Sequence, residues 1–326
     1  MTLDETVALF RDGDNFILTS HESPDADGLG AQYALRVVLE AMGKKVQAVN
    51  ADVYSQKYAF IDERKVIGVL RSSNVADQDL SQSTIVLLDT NDIQYTGEMA
   101  DIALSRAGNI LVFDHHEAKG VTNNEACSMP EASSTCEMAY YLIKALGQDI
   151  APDVAVALFA GIVYDTGSFS YAKTSQSTFQ AALDLVNLGV VPARIHNLLY
   201  ESSSTSVLLL RKAVLSTLEL HHGDALAIQV MDKDMLMACG ASYEDAEDLI
   251  NIPLLAKSVE VSAFFKVNME GVLRCSLRSK GAVNVAHLAQ SFGGGGHRTA
   301  AGFKSPYPLE TIKKKVLELI GPALPG

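Results

Sequence analysis

The stretch Asn109-Ile110-Leu111-Val112-Phe113-Asp114-His115-His116-Glu117 is a short apolar run that stops at an acid and two imidazoles. Its length and its β-branched, aromatic make-up read as a buried strand, and open α/β sheets gather ligands at the carboxyl ends of their strands. Two further runs end in the same way. Phe16 to Ser20 leads into His21-Glu22-Ser23-Pro24-Asp25-Ala26-Asp27-Gly28, and Thr84 to Leu88 leads into Asp89-Thr90-Asn91-Asp92. Laid parallel in one sheet, the three strands bring His21, Asp25, Asp27, Asp89, Asp114, His115 and His116 to a single edge. Seven such side chains in one place repel one another or hold protons unless cations sit among them.

Helical patterns alternate with these strands. Gly28 to about Gly43 carries an apolar face, and Lys45 to Asn50 reads as a further strand. The alternation through Ile110 predicts an α/β fold whose N-terminal, mostly parallel sheet is flanked by helices. Ser134-Thr135-Cys136-Glu137 has capping-box spacing ahead of a helix over Met138 to Leu146, which Gly147 stops. Pro152 to Tyr164 is apolar all round and predicts a buried helix ending at Asp165-Thr166-Gly167. A carboxylate there is costly to leave unpaired, which makes Asp165 a further contributor to the acidic cluster. Thr178 to Leu188 predicts one more amphipathic helix.

The polar run Glu201 to Ser206 suits a connector. The expected organisation is a catalytic, metal-binding domain over 1–190, a linker over 191–206 and a smaller C-terminal α/β domain over 207–326, with the active site in the cleft between the two. The second domain is expected to hold helices near 207–220, 283–292 and 309–320 and strands near 225–231, 259–267 and 272–277. It also holds Phe292-Gly293-Gly294-Gly295-Gly296-His297-Arg298. Four consecutive glycines let backbone approach a ligand closely, and successive N–H groups can form an anion nest. His297 and Arg298 add donors there, and Arg278 can grip a phosphate bidentately.

Bulk properties narrow the classes. At 326 residues the chain has room for two cored domains. With 48% hydrophobic and 20% charged residues it reads as globular and not as disordered. No basic segment precedes an apolar core at the N-terminus and no apolar run reaches the roughly 18 residues a membrane helix needs, so the cytoplasm is the expected location. Cys127, Cys136, Cys239 and Cys275 lack C-x-x-C spacing and read as buried free thiols. The net charge is -13, and it is unevenly spread: residues 1–205 hold 13 Lys and Arg against 27 Asp and Glu, whereas residues 206–326 hold 13 against 12. A surface that tracks duplex DNA is usually basic, so this balance favours small anionic substrates with metal supplying local positive charge. A mixed imidazole and carboxylate donor set suits manganese, magnesium, iron or zinc, and the lack of Cys partners argues against a structural zinc site.

Taken together, Pro24-Asp25-Ala26-Asp27, Leu88-Asp89, Asp114-His115-His116, Tyr164-Asp165-Thr166-Gly167 and Gly293 to His297 resemble the DHH phosphoesterase superfamily with its DHH-associated C-terminal domain. Within that superfamily the chain is similar to the stand-alone bacterial nano-RNases that also dephosphorylate adenosine 3′,5′-bisphosphate (pAp). The resemblance covers almost the whole chain, with the motifs in the right order. It implies two manganese ions, one on His21 and Asp25, the other on Asp27, His115 and Asp165, with Asp89 bridging. It gives catalytic roles to Asp114, which would orient its neighbours, and to His116, near the scissile phosphate. It assigns substrate binding to Arg278, Gly293, Gly294, Gly295, Gly296, His297 and Arg298.

The implied activity is metal-assisted hydrolysis of short RNA oligonucleotides to 5′-mononucleotides, together with removal of the 3′-phosphate of pAp. The implied partners are those short RNAs and small adenylate phosphoesters, with a homodimer expected and neither duplex DNA nor membrane. A nearby alternative is a soluble phosphodiesterase for cyclic di-AMP or its linear product pApA. A non-catalytic nucleotide- or RNA-binding protein is the alternative from another class, and the complete set of expected ligands argues against it. Gly30-Ala31 stands where relatives often carry Gly-Ser, a change expected to touch helix packing only.

Overall fold

A computed structural model describes residues 1–116, 125–267, 271–296 and 298–324. The chain divides into two compact units, Met1–Ser202 and Ser203–Gly326.

In the first unit a capping box between Thr2 and Glu5 starts α1 (Leu3–Asp12), and β1 (Asn15–Ser20), α2 (Ala26–Ala41), β2 (Lys45–Asn50) and β3 (Ile67–Val69) follow. Next come β4 (Thr84–Leu88), α3 (Glu98–Arg106), β5 (Asn109–Asp114), β6 (Glu125–Ser128), α4 (Thr135–Ala145), α5 (Pro152–Asp165), α6 (Gln176–Asn187) and α7 (Pro192–Tyr200). The six strands form one sheet in the order β3-β2-β1-β4-β5-β6, and every pairing is parallel. Ser20 pairs with Leu88, and Leu88 with Phe113, so the chain leaves three adjacent strands at one level as His21, Asp89 and Asp114.

The central strands are buried on both faces, as a covered parallel sheet requires. Phe16, Leu18, Val86, Leu88, Leu111 and Phe113 pack with α2, α4 and α5, whereas Ile17, Ile85, Leu87 and Val112 pack with Met99, Ala100 and Ala103 of α3. Helix α3 was not legible in the sequence; its N-cap is Gly97, which offers no side-chain acceptor. The expected 191–206 connector holds α7, which begins with Pro192 at a position where proline's missing N–H has no helical partner to lose. Its Ile195 and Leu199 are buried in the first unit's core.

The closest helix contact in this unit lies where α2 meets α4 and α5. A Cβ on Gly30 would lie 2.6 Å from the Ala157 carbonyl oxygen and 2.7 Å from Cys136 Sγ, and one on Gly161 would strike Cys136 Sγ and lie 2.8 Å from Asp27 Oδ1. These two glycines let α2 sit against its neighbours with Asp27 pointing at the head of α4.

The second unit carries α8 (Thr205–Leu215), β7 (Glu219–His221), β8 (Leu226–Met231), α9 (Lys233–Cys239), β9 (Val261–Val267), β10 (Leu273–Ser279), α10 (Val285–Gln290), β11 (Gly295–Gly296), β12 (Ala300–Ser305) and α11 (Leu309–Ile320). Its sheet order is β11-β12-β10-β9-β8-β7, antiparallel except between β8 and β9. The helix expected to run to Leu220 stops at Leu215. Thr217 Oγ1 accepts from Val230 N at 2.9 Å, and the chain continues as edge strand β7. The glycine run is partly paired: Gly295 and Gly296 bond to Gly302 and Ala301. A Cβ on Gly294 would strike Gly302 O, and one on Gly296 would lie 2.5 Å from Ala300 O, so the missing side chains serve close packing on β12. All four cysteines are free, with Cys127, Cys136 and Cys275 buried and Cys239 half-buried. Among the described residues no helix is long and apolar enough to cross a membrane.

Replacing Gly30 by Ala forces the Ala157 backbone or Cys136 to move. The expected cost is about 1–3 kcal/mol, read as a lowered midpoint in thermal or urea unfolding. An unchanged midpoint would show that α2 and α5 separate freely.

Candidate metal centre

The carboxyl edge of the parallel sheet gathers every acid and imidazole expected there. Asp25 caps α2, its Oδ1 accepting from Asp27 N at 2.9 Å and Gly28 N at 3.3 Å. The helix thus begins at Ala26, two residues earlier than the sequence suggested, and Asp27 lies in its first turn, fully buried. The opening turn of α4 closes on that carboxylate. Thr135 N donates to Asp27 Oδ2 at 2.7 Å, Cys136 N donates to Oδ1 at 2.8 Å, and the Thr135 hydroxyl donates to Asp89 Oδ1 at 3.1 Å. These are N–H groups that a helix leaves without internal partners.

The half-buried His21 and the buried His115 are turned the same way. His21 Nδ1 donates to Glu22 O at 2.8 Å, and His115 Nδ1 lies 3.4 Å from Ala132 O. A carbonyl on Nδ1 leaves Nε2 to face the carboxylates. His21 Nε2 lies 3.6 Å from Asp89 Oδ2 and 3.9 Å from Asp25 Oδ2. His115 Nε2 lies 3.1 Å from Asp165, 3.5 Å from Asp89 Oδ1 and 3.9 Å from Asp27. Asp89 therefore turns one oxygen to each histidine. Its backbone φ of 61° is unusual for a residue with a side chain, and strain of that kind is found where the surroundings dictate a side chain's position. Asp114, the buried last residue of β5, accepts from His116 Nδ1 at 2.7 Å.

Three sets of donor atoms, each mutually within 4.8 Å, result: His21 with Asp25 and Asp89, Asp27 with His115 and Asp165, and Asp89 with Asp114, His115 and His116. Carboxylate oxygens and imidazole nitrogens in such sets suit a divalent cation. Two buried atoms, His115 Nε2 and Asp114 Oδ2, have no hydrogen-bond partner in the structure, and His115 Nε2 faces the set that would hold the cation. The donors fit the metal that the motifs imply.

The substrate-binding candidates all lie in the second unit. Arg278 is in β10, Gly293 to Gly296 lead into and form β11, and Arg298 Nε donates to Gly281 O at 3.2 Å. His297 lies outside the described residues.

Comparison with known proteins gives the same family. The DHH family N-terminal domain matches residues 15–162, and the DHHA1 domain matches residues 233–321. The chain belongs to the DHH family. It is 27% identical to the bifunctional oligoribonuclease and PAP phosphatase NrnA of Thermus thermophilus, over 93% of this chain and 88% of that one. It is 28% identical to the cyclic-di-AMP phosphodiesterase GdpP of Geobacillus thermodenitrificans, over 90% of this chain but 45% of that longer one. An exopolyphosphatase-related protein from Bacteroides fragilis has the same fold with a TM-score of 0.89 and 27% identity, covering 98% of this chain and 96% of its own. This DHH protein is a hydrolase acting on phosphoester bonds.

Thr135 and the α4 N–H groups were not among the residues singled out from sequence. The capping-box spacing at Ser134, which the structure realises as a simple cap with Glu137 turned to Ser133, revealed where the free N–H groups begin, not that Asp27, 108 residues away, accepts from them. Nothing in the sequence signalled Lys173, whose Nζ donates to His115 O at 3.0 Å.

Among these side chains, protons carry the positive charge. Burial lowers the His21 imidazole, but the Asp89 hydrogen bond and the charges of Asp89 and Asp25 outweigh it and hold it up at about 10. His115 behaves alike, with burial overcome by Asp165, Asp89 and Asp27, and stands at about 11. Burial, with Asp89 adding repulsion, pushes Asp25 to about 7 and Asp27 well above the usual carboxylate range. Asp89 goes the other way: burial raises it, and the imidazoles of His115 and His21 facing its two oxygens more than reverse this. A cation must displace protons from such ligands.

Manganese binding at pH 7 is therefore expected to release protons. Its apparent affinity should rise with pH from about 7 until about 10 to 11, where His21 and His115 lose the protons that compete with the cation. Calorimetry in buffers of different ionisation enthalpy measures the release, and zero net protons at pH 7 would contradict the assignment. Thr135→Val, which removes the hydroxyl held on Asp89, should weaken manganese binding about 10–100-fold.

Proposed function

We propose that the chain hydrolyses short oligoribonucleotides to 5′-mononucleotides and removes the 3′-phosphate of pAp, using two divalent cations, with manganese the expected metal. The observation that carries this reading is Asp89, whose two oxygens face the His21 and Asp25 group on one side and His115 on the other. In this reading His21 and Asp25 would hold one cation, Asp27, His115 and Asp165 the other, and Asp89 would serve both. When bound, the cations acidify an attacking water and offset charge developing on the phosphoryl oxygens.

The protein's own groups do the rest. The head of α4 fixes Asp27, and the carbonyls of Glu22 and Ala132 fix the two imidazoles. Asp114 sets the His116 tautomer. Burial lowers His116, but the Asp114 hydrogen bond and the charges of Asp114 and Asp89 leave it raised above the usual imidazole value. With 44% of its side chain exposed, His116 is within reach of substrate and is the proposed donor to the leaving oxygen. In the second unit, Arg278, Gly293 to Gly296, His297 and Arg298 are proposed to bind the nucleotide and its phosphate, through charge-assisted hydrogen bonds and backbone N–H groups.

The Thermus thermophilus relative named for both activities matches this chain along most of both lengths, which supports the pairing of substrates. The relative named as a cyclic-di-AMP phosphodiesterase supports a second reading, action on cyclic di-AMP or pApA, with this chain spanning about half of that protein.

The deciding experiment sets purified protein with manganese against pAp, pApA, RNAs of two to five nucleotides and cyclic di-AMP, with products separated by chromatography. Short RNA and pAp should be turned over fastest; preference for cyclic di-AMP would favour the second reading. A chelator should abolish turnover and manganese restore it. His116→Ala should lower kcat by roughly 10²–10⁴-fold. Unchanged turnover in Asp89→Ala or His115→Ala would reject the metal assignment. Arg278→Ala should raise KM about 10-fold or more while leaving kcat nearly level.

A further inference from the structure

Beyond Asp165 the chain makes three consecutive left-handed residues, Gly167, Ser168 and Phe169, at φ 54°, 58° and 65°. Two of them carry side chains, for which this region costs free energy that other contacts must offset. The offset is visible. Ser168 N donates to Val163 O at 2.8 Å, Phe169 N to Thr166 Oγ1 at 2.9 Å, and Ser170 N and Tyr171 N to Thr166 O at 2.8 and 2.9 Å. The Phe169 ring stacks on Phe179 at 5.3 Å and meets Phe159 edge-on at 6.2 Å.

The strained turn doubles the chain back on itself. The end of the Tyr171 ring lies against Gly167, where a Cβ would come within 2.5 Å of Tyr171 Cζ. Gly167 Cα is at most about 7.6 Å from that of Asp165, two residues earlier. The ring is thus held against the turn that directly follows Asp165, yet Tyr171 is 63% exposed. Two residues on, Lys173 Nζ is tied to the carbonyl of His115, which places an ammonium group at the same edge with donors to spare.

We propose that Tyr171 and Lys173 form a nucleoside subsite next to the metal centre, the Tyr171 ring stacking on a base of the substrate and Lys173 meeting an adjacent phosphate. The inference rests on the phosphoesterase reading above and adds what recognises a nucleotide as such. Among the described residues, the candidate metal ligands are carboxylates and imidazoles, and cations held there would grip phosphoryl oxygens whatever those oxygens are attached to. An exposed aromatic face accepts any base, because every base has a π-face, which suits an enzyme of short RNAs of unrelated sequence. A ring already held in place by the turn loses little freedom on binding. Lys173 brings positive charge into the half of the chain where acids outnumber bases 27 to 13.

The test compares a dinucleotide with the same sugar-phosphate dimer lacking its bases, both with manganese, in wild type, Tyr171→Ala, Tyr171→Leu and Tyr171→Phe. In wild type the bases should raise kcat/KM, mainly through KM. In Tyr171→Ala that advantage should shrink by about 10-fold or more, as loss of one base stack implies. Tyr171→Leu, which keeps an apolar contact on Gly167, should lose it equally, and Tyr171→Phe should keep it. Lys173→Gln should raise KM for both substrates. Should Tyr171→Ala retain the full advantage of the bases, or lose activity equally on both dimers, the subsite is overturned while the phosphoesterase reading stands. If wild type turns over no nucleotide at all, the underlying reading fails and the subsite with it.

Discussion

The structure depends on how it manages like charge at one end of a parallel sheet. Asp25, Asp27, Asp89, Asp114 and Asp165 converge there, and all but Asp25 and Asp165 are buried. Two carboxylates about 4 Å apart repel by roughly 4 kcal/mol at the effective dielectric of a protein site. A handful of such pairs would match the whole stability of an ordinary domain, about 5–15 kcal/mol. The acids therefore coexist only where some of them hold protons or positive charge lies between them. Imidazolium groups at His21 and His115 supply it among the side chains themselves, and a pair of divalent cations supplies it more strongly. The apolar strands are what make the crowding possible. β1, β4 and β5 are buried on both faces and paired in a fixed register, so they hold His21, Asp89 and Asp114 in place against their mutual repulsion.

That arrangement explains how far the sequence could be read. A strand that is apolar along its length and then polar at one end announces both its burial and its functional terminus. Parallel pairing with common register follows once helices alternate with strands, so the convergence of His21, Asp89 and Asp114 to His116 was legible. Asp165 was legible for a related reason, an acid closing a helix with no polar face. What escaped were contacts set by tertiary packing. Thr135 reaches Asp89 and Asp27 only because Gly30 and Gly161 let α2, α4 and α5 approach closely, and no local pattern records that approach. The left-handed backbone at Asp89 has no signature either, since aspartate is common in turns of every kind.

In the second unit, sequence reasoning stumbled where local preference and tertiary demand diverge. Val207 to Leu220 looks like one helix because its apolar residues keep helical spacing, but a threonine hydroxyl claimed by Val230 turns the last residues into a strand. The glycine run looks like a flexible cradle. Its backbone is instead drawn against β12, where side chains at Gly294 and Gly296 would collide with Gly302 and Ala300. Packing is therefore one reason for those glycines that composition alone does not suggest. At the end of the first unit, α7 was missed because Glu201 to Ser206 is so polar that it made the segment before it look like part of a connector.

A site built this way divides its work between rigid and adaptable parts. The strand ends and the head of α4 can accept almost no substitution, because each carboxylate there is placed by a backbone donor or by strand register. They fix the chemistry, and that chemistry is blind to anything beyond the phosphoryl group. Discrimination among phosphoesters must come from residues near the metal centre but not bound into it. The turn after Asp165 has that freedom. Its strain is absorbed locally by Thr166 and the Phe159, Phe169 and Phe179 rings, so the exposed Tyr171 side chain can be changed without removing a bond that places a carboxylate. Strain confined to a few residues thereby separates what the enzyme does to a phosphoester from which phosphoester it holds.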